Sequence, residues 1–245
     1  MLQSPVTVDE LVASLKNTTL PTDLVEGRDD MKTYRWIEDR LGSHLANILP
    51  CGNRDNLFAV YNRRSEFRHL KCAFLADRDM WLFDNRCSQY GSIVFTRGYS
   101  IENDILNGSH VDDLLSRTEQ GSFQAISTSL AQWFAFEVQE YRAGRNFTVD
   151  VHPNRVVPKG GTCLDATFLA GRGYRRPQAA LVRAIKTQFT IRYRGKSLLE
   201  LYVRLLSAPD RRSRFSKQNL LEIGTKCDSQ VHMARLIRLI ARKMN

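Results

Sequence analysis

Three features of the sequence predict an α/β fold, a small parallel sheet flanked by helices with a mostly helical basic C-terminal region. Apolar runs of strand length alternate with amphipathic helical stretches, the runs stop abruptly at acidic residues, and basic residues crowd toward the C-terminus. TDLVEG reads as a first short strand from Thr22. DMKTYRWIEDRLG reads as a helix with Met31, Tyr34 and Ile37 at helical spacing, closed at Gly42. LANILP is a second strand and RDNLFAVYNRRSEF a second helix, with Leu57, Val60, Tyr61 and Arg64 on related faces.

KCAFLADRD is the clearest strand, and its apolar run breaks off at Asp77, Arg78 and Asp79; GSIVFTRGYS repeats that format. From Asp112 to Arg145 the chain reads as helical, and Trp133, Phe134 and Phe136 fit a buried stripe better than a base-stacking platform. Further helices are expected at GKSLLELYVRLLS and at VHMARLIRLIARKMN, which carries Met233, Leu236, Ile237 and Ile240 on one face. The organisation expected is a metal-binding core over residues 1–110 and a helical, basic region over 111–245, packed on it as one compact unit.

No window approaches eighteen uncharged apolar residues, and MLQSPVTVDELVASLKN has neither the basic start nor the apolar stretch of a signal peptide. A cytoplasmic protein with no membrane partner is expected. The five cysteines are far apart with no CxxC pair, which argues against a zinc ribbon or a disulfide framework. The five histidines show no metal-ligand spacing either. Charge is more informative: the formal net of +10 divides into 18 Lys/Arg against 4 Asp/Glu from Gly171 onward and 18 against 22 before it. GRGYRR (171–176) and DRRSRFSK (210–217) suit phosphate contacts through Arg172, Arg175, Arg176, Arg211, Arg212 and Arg214, or else form a solvated face or a dock for an acidic partner.

The strongest chemical signal is three acidic motifs, VEGRDD, ADRD and YSIEN, each just past a predicted strand. Singly each is ordinary: a Glu-Gly turn, a chance DxD, a glutamate in a helix's first turn. Their shared position matters, because ligands of open α/β sheets gather beyond the carboxyl ends of the strands. Glu26 and Asp30 span a strand-to-helix turn, and in an extended segment Asp77 and Asp79 would point to one face. So many carboxylates repel one another without a cation, and hard oxygen donors favour Mg2+ or Mn2+ over zinc.

VEGRDD, then FLADRD, then TRGYSIEN, over roughly Thr22 to Leu106, resembles the Toprim domain of the DUF4435 proteins and, more distantly, of the overcoming-lysogenization-defect (OLD) nucleases. Within that family the likeness is to the effectors of PARIS anti-phage systems. The resemblance implies a Toprim-like sheet and a metal set of Glu26, Asp30, Asp77, Asp79 and Glu102, with Glu26 also catalytic and Ser100 beside Glu102 in an SxE element. It aligns the Gly195–Lys196 pair with the family's later Gly-Lys segment, so Lys196 either stabilises phosphate charge or is a solvated lysine at a helix start. Arg78 meets developing charge or spaces its acidic neighbours, and Asp29 and Asp84 are open as further ligands.

The resemblance further implies a Mg2+-dependent endoribonuclease acting as a toxic defence effector, with tRNA as substrate, an ABC-like ATPase as partner and a homodimer as active form. The alternatives are a catalytically silent nucleic-acid-binding or regulatory subunit of the ATPase complex, or a DNA-cleaving OLD-like nuclease. A DxD sugar-nucleotide transferase gives no reason for Glu26 to follow a separate early strand.

Overall fold

The computed structural model describes residues 6–27, 31–41, 47–227 and 231–244; Asp29, Asp30, Gly42 and His44 lie outside the described residues. The chain divides into two compact units, each discontinuous in sequence: residues 1–77, 87–96 and 231–245 form the first, residues 78–86 and 97–230 the second. The division differs from the boundary expected at residue 110, which falls within the second unit.

The first unit is α/β. Its elements are α1 (Val8–Lys16), β1 (Thr22–Val25), α2 (Met31–Leu41), β2 (Asn47–Pro50), α3 (Arg54–Asn62), β3 (Cys72–Ala76) and β4 (Val94–Phe95). The four strands form one sheet in the order β2-β1-β3-β4, and every pairing is parallel. β1 is buried along its whole length and β3 along four of five residues, as expected for a parallel sheet covered on both faces. Because β1 leads to β2 on one side while β3 leads to β4 on the other, β1 and β3 flank the topological switch point, where loops diverge and leave a crevice.

The second unit is helical: α4 (Ile101–Leu106), α5 (Arg117–Arg142), α6 (Pro153–Val156), α7 (Ala166–Gly171), α8 (Ala179–Thr187), α9 (Phe189–Arg192), α10 (Gly195–Leu206) and α11 (Lys217–Lys226). Ser116 starts α5 with a reciprocal capping box to Glu119. Trp133 and Phe134 are wholly buried and Phe136 nearly so, which places the aromatic stripe in the core rather than on a stacking surface. Trp133 and Phe134 share this core with Leu198, Leu201, Tyr193 and Tyr202.

The last helix, α12 (Val231–Met244), belongs to the first unit and packs on β3, β4 and α2. It does so because Met233, Leu236 and Ile240 recur on one face and are fully buried, while Arg235 donates to the Phe95 carbonyl at 3.0 Å. The C-terminal basic region is therefore not one structural body. Among the described residues no helix is long and apolar enough to cross a membrane.

Candidate metal centre

In the first unit, parallel pairing puts the residues that follow β1 and β3 side by side at the carboxyl edge of the sheet. Glu26 Oε1 accepts the Asp77 backbone N–H at 2.9 Å, which ties the two strand ends together. Arg54, the first residue of α3, donates Nη2 to the Asp77 carbonyl at 2.6 Å and brings Nε to 4.0 Å from Glu26 Oε1. Both side chains are mostly covered, at 18% exposed for Glu26 and 20% for Arg54. Arg54 thus grips both members of the pair, a role the sequence reading did not give it. The available signal was a cation immediately after the second strand's turn, at the same sheet edge as the two acids.

One neighbour adjoins this edge, and a second titratable group lies inside the sheet. Cys51, buried just past β2, has its thiol pushed up to about 12 by burial, with Glu26 and Asp23 adding negative charge. Asp23 lies within β1, fully buried, and neither carboxylate oxygen has a hydrogen-bond partner among the described residues; burial pushes its pKa from 3.8 to about 7. The five cysteines are free thiols.

The expectation that Asp77 and Asp79 share a face as alternating strand residues does not hold. β3 ends at Ala76, Arg78 is helical at φ −75° and ψ −37°, and Asp79 is left-handed at φ +47°. The backbone turns there, so the alternation that orients side chains along a strand has already stopped. Asp79 opens a 3₁₀ turn in the second unit and donates its N–H to the Tyr99 carbonyl at 2.7 Å. A non-glycine residue with positive φ is uncommon, and aspartate is among those that tolerate it.

The rest of the acidic set is built around the start of α4 in the second unit. Glu102 is 2% exposed and takes the Ser100 hydroxyl on Oε2 at 2.5 Å. Asn103 Oδ1 accepts the Ser100 N–H at 2.9 Å, while its Nδ2 donates to the carbonyls of Thr190 and Tyr193 at 2.6 and 2.9 Å. That bridge seats the start of α10 against the SIEN turn. A Cβ at Gly195 would overlap Ser100 Oγ and come within 2.8 Å of Asn103 Oδ1 and 2.9 Å of Glu102 Oε2, so glycine is required. The exposed Lys196 follows directly. Asp104 holds the preceding loop by accepting the N–H groups of Arg97 and Gly98 at 2.7 and 2.6 Å.

Asp84 is taken up by structure, since it accepts Tyr141 Oη at 2.5 Å and pairs with Arg86 at 3.1 Å. Tyr99 is buried with its ring 5.9 Å from Phe134. Among the described residues no group of three or more His, Cys, Asp or Glu is placed to hold a metal ion. Asp30 is outside that set.

The arginines expected on nucleic acid separate into two groups. Arg172 pairs with buried Glu137, Arg175 with Glu140 at 3.0 Å, and Arg211 with Glu119 at 3.4 Å and the Leu114 carbonyl at 2.9 Å. Arg176, Arg212 and Arg214 are exposed and make no ion pair among the described residues. Compared with known proteins, the chain matches no protein-family model and no curated sequence.

Proposed function

We propose that the chain is a divalent-metal-dependent nuclease that hydrolyses phosphodiester bonds, with Mg2+ or Mn2+ held at the carboxyl edge of the sheet by Glu26 and Asp77. The observation that carries this reading is the meeting of Glu26 and Asp77 at the switch point of a parallel sheet, with Arg54 on both. The donors fit such an ion: they are all carboxylate oxygens, and Mg2+ characteristically takes one or two carboxylates plus water and substrate phosphate. Bound there, the ion would lower the pKa of a water and neutralise the oxygens of an in-line displacement.

The chain's own residues have separate tasks. Glu26 holds the ion or takes the proton of the attacking water, and Asp77 is kept beside it by the bond from its own N–H. Arg54 fixes the Asp77 backbone and balances Glu26. Ser100 and Asn103 orient Glu102 and the start of α10, from which Lys196 faces solvent and can meet phosphate charge. Arg176, Arg212 and Arg214, exposed and in no ion pair among the described residues, are the cations offered to a polyanionic strand.

The likeness to DUF4435 and OLD proteins extends the proposal to a cytoplasmic, toxic anti-phage effector that cleaves tRNA as a homodimer under an ABC-like ATPase. A second reading has one observation in its favour: Glu26 already serves as an acceptor for the Asp77 backbone, which suffices for a structural role in a silent binding or regulatory subunit. The test is incubation of the chain and of Glu26→Ala with total tRNA and with DNA, in Mg2+ and in EDTA, with and without the ATPase. Metal-dependent cleavage lost in the variant is expected. No cleavage of either substrate, with the ATPase present, would sink the nuclease reading in favour of the silent one.

A further inference from the structure

Arg204, on α10, directs its guanidinium at the loop after α6. Nη1 donates to the Val157 carbonyl at 2.7 Å and to Asn154 Oδ1 at 3.2 Å; Nη2 donates to the carbonyls of Pro158 and Gly161 at 2.8 and 2.9 Å. In a trans peptide the N–H points opposite to its carbonyl, and no cis bond occurs among the described residues. Turning the Pro158 and Gly161 carbonyls onto Arg204 therefore turns the N–H groups of Lys159 and Thr162 away from it. The turn is closed by Gly161 N–H on the Pro158 carbonyl at 3.1 Å, with Gly160 at φ +79°. The N–H groups of Lys159, Gly160 and Thr162 make no hydrogen bond among the described residues.

These residues line a cavity of about 570 Å³ together with Ser122 and Ser207. Its cations are Lys159 and Arg204. Of its two acids, Glu119 is engaged by the Ser116 N–H at 2.7 Å and by Arg211 at 3.4 Å, and Asp210 is exposed. Unpaired amides of a turn beside an ammonium group form a concavity suited to a tetrahedral anion. The volume accommodates a nucleotide-sized ligand. None of the carboxylates assigned to the metal lines this cavity.

We propose that the Lys159–Thr162 loop is a phosphate-binding site that holds a backbone phosphate of a nucleic-acid strand, an assignment whose strand component rests on the nuclease reading. The experiment is a titration of the ¹⁵N-labelled chain in EDTA, followed by amide spectra, with inorganic phosphate, with AMP and with a short single-stranded oligoribonucleotide. Lys159→Glu is run in parallel; the position is exposed, so the variant keeps its fold.

Saturable shifts of the Lys159, Gly160 and Thr162 amides are expected, with the oligoribonucleotide binding more tightly than AMP or phosphate and Lys159→Glu weakening it about tenfold or more. AMP or phosphate binding as tightly as the oligoribonucleotide would overturn the strand assignment in favour of a free-nucleotide site. Absence of shifts with all three ligands, or equal shifts in Lys159→Glu, would overturn the site itself. The readout is binding without metal, so a chain that binds at this loop yet cleaves nothing refutes the nuclease reading alone.

Discussion

Arg172 covers both oxygens of the wholly buried Glu137, Nε to Oε1 at 3.0 Å and Nη2 to Oε2 at 2.8 Å. The same carboxylate accepts Trp133 Nε1 at 3.2 Å and the Thr148 N–H at 2.8 Å, so its lone pairs are well occupied. Deleting one partner of such a pair leaves a charge in a low-dielectric interior. Arg172→Ala is expected to cost about 3 kcal/mol in urea unfolding. A cost below about 1 kcal/mol would reduce the pair to an ordinary surface contact.

The exposed arginines should behave in the opposite way. On the nuclease reading, replacing Arg176, Arg212 and Arg214 together by alanine removes candidate phosphate contacts without opening the core. RNA affinity should fall and the salt dependence of log Kd should flatten by up to about 3 in slope, with the melting temperature nearly unchanged. Fluorescence anisotropy across a salt series measures this. An unchanged slope would move the RNA contact to another surface.

Asp23 makes stability depend on pH. Its folded-state pKa of about 7 lies above the unfolded value of 3.8, so the native state favours the neutral acid. Stability is complete below pH 3.8 with respect to this group and is lost as pH rises through about 7. Asp23→Asn, uncharged at every pH, is expected to stabilise the chain at pH 8, by on the order of 4 kcal/mol at most, and to change little at pH 4. Parallel loss of stability from pH 4 to pH 8 in both proteins would assign the dependence to other groups.

Two glycines on helices should respond with opposite signs. Gly195→Ala forces a methyl into Ser100 and Glu102 and should cost about 2 kcal/mol, together with most of any cleavage activity. At Gly121, within α5, a methyl meets nothing within 4 Å, so alanine should stabilise by about 0.5–1 kcal/mol. Thermal unfolding of the two variants decides the matter; similar shifts in both would disprove the packing of α10 against the SIEN turn.

Arg54 is a positioning residue on the nuclease reading. Losing its hydrogen bond to the Asp77 carbonyl and its ion pair with Glu26 should raise the Mg2+ concentration needed for half-maximal cleavage about tenfold to a hundredfold in Arg54→Ala, with partial recovery in Arg54→Lys. A magnesium titration unchanged in Arg54→Ala would leave the residue a structural role only.

β1 and β3 were legible because short apolar runs end abruptly in charge, and α5, α10 and α12 because their periodicity spans three or more turns. The α1 helix carries its own start signal, since Thr7 and Glu10 form a capping box, although it precedes the strand-and-charge format that marks the sheet. Placement of the acids along the chain was readable, whereas their orientation was not: the left-handed Asp79 follows from the turn it makes toward Tyr99, a contact 20 residues away in sequence. Arg54 and Asn103 were illegible for a related reason, because their partners come from elements far along the chain. The division into units was hidden because the last helix returns to the first strands.

That return has a temporal consequence during protein synthesis. β3 and β4 are complete by Phe95, but the helix that covers them ends at Met244 and is made only after about 150 further residues, roughly seven to thirty seconds of elongation. The helical unit, encoded almost wholly in the interval, can collapse first. The nascent sheet meanwhile exposes the apolar surface that Met233, Leu236 and Ile240 later seal, so a nascent chain halted before α12 is a client for chaperones and proteases.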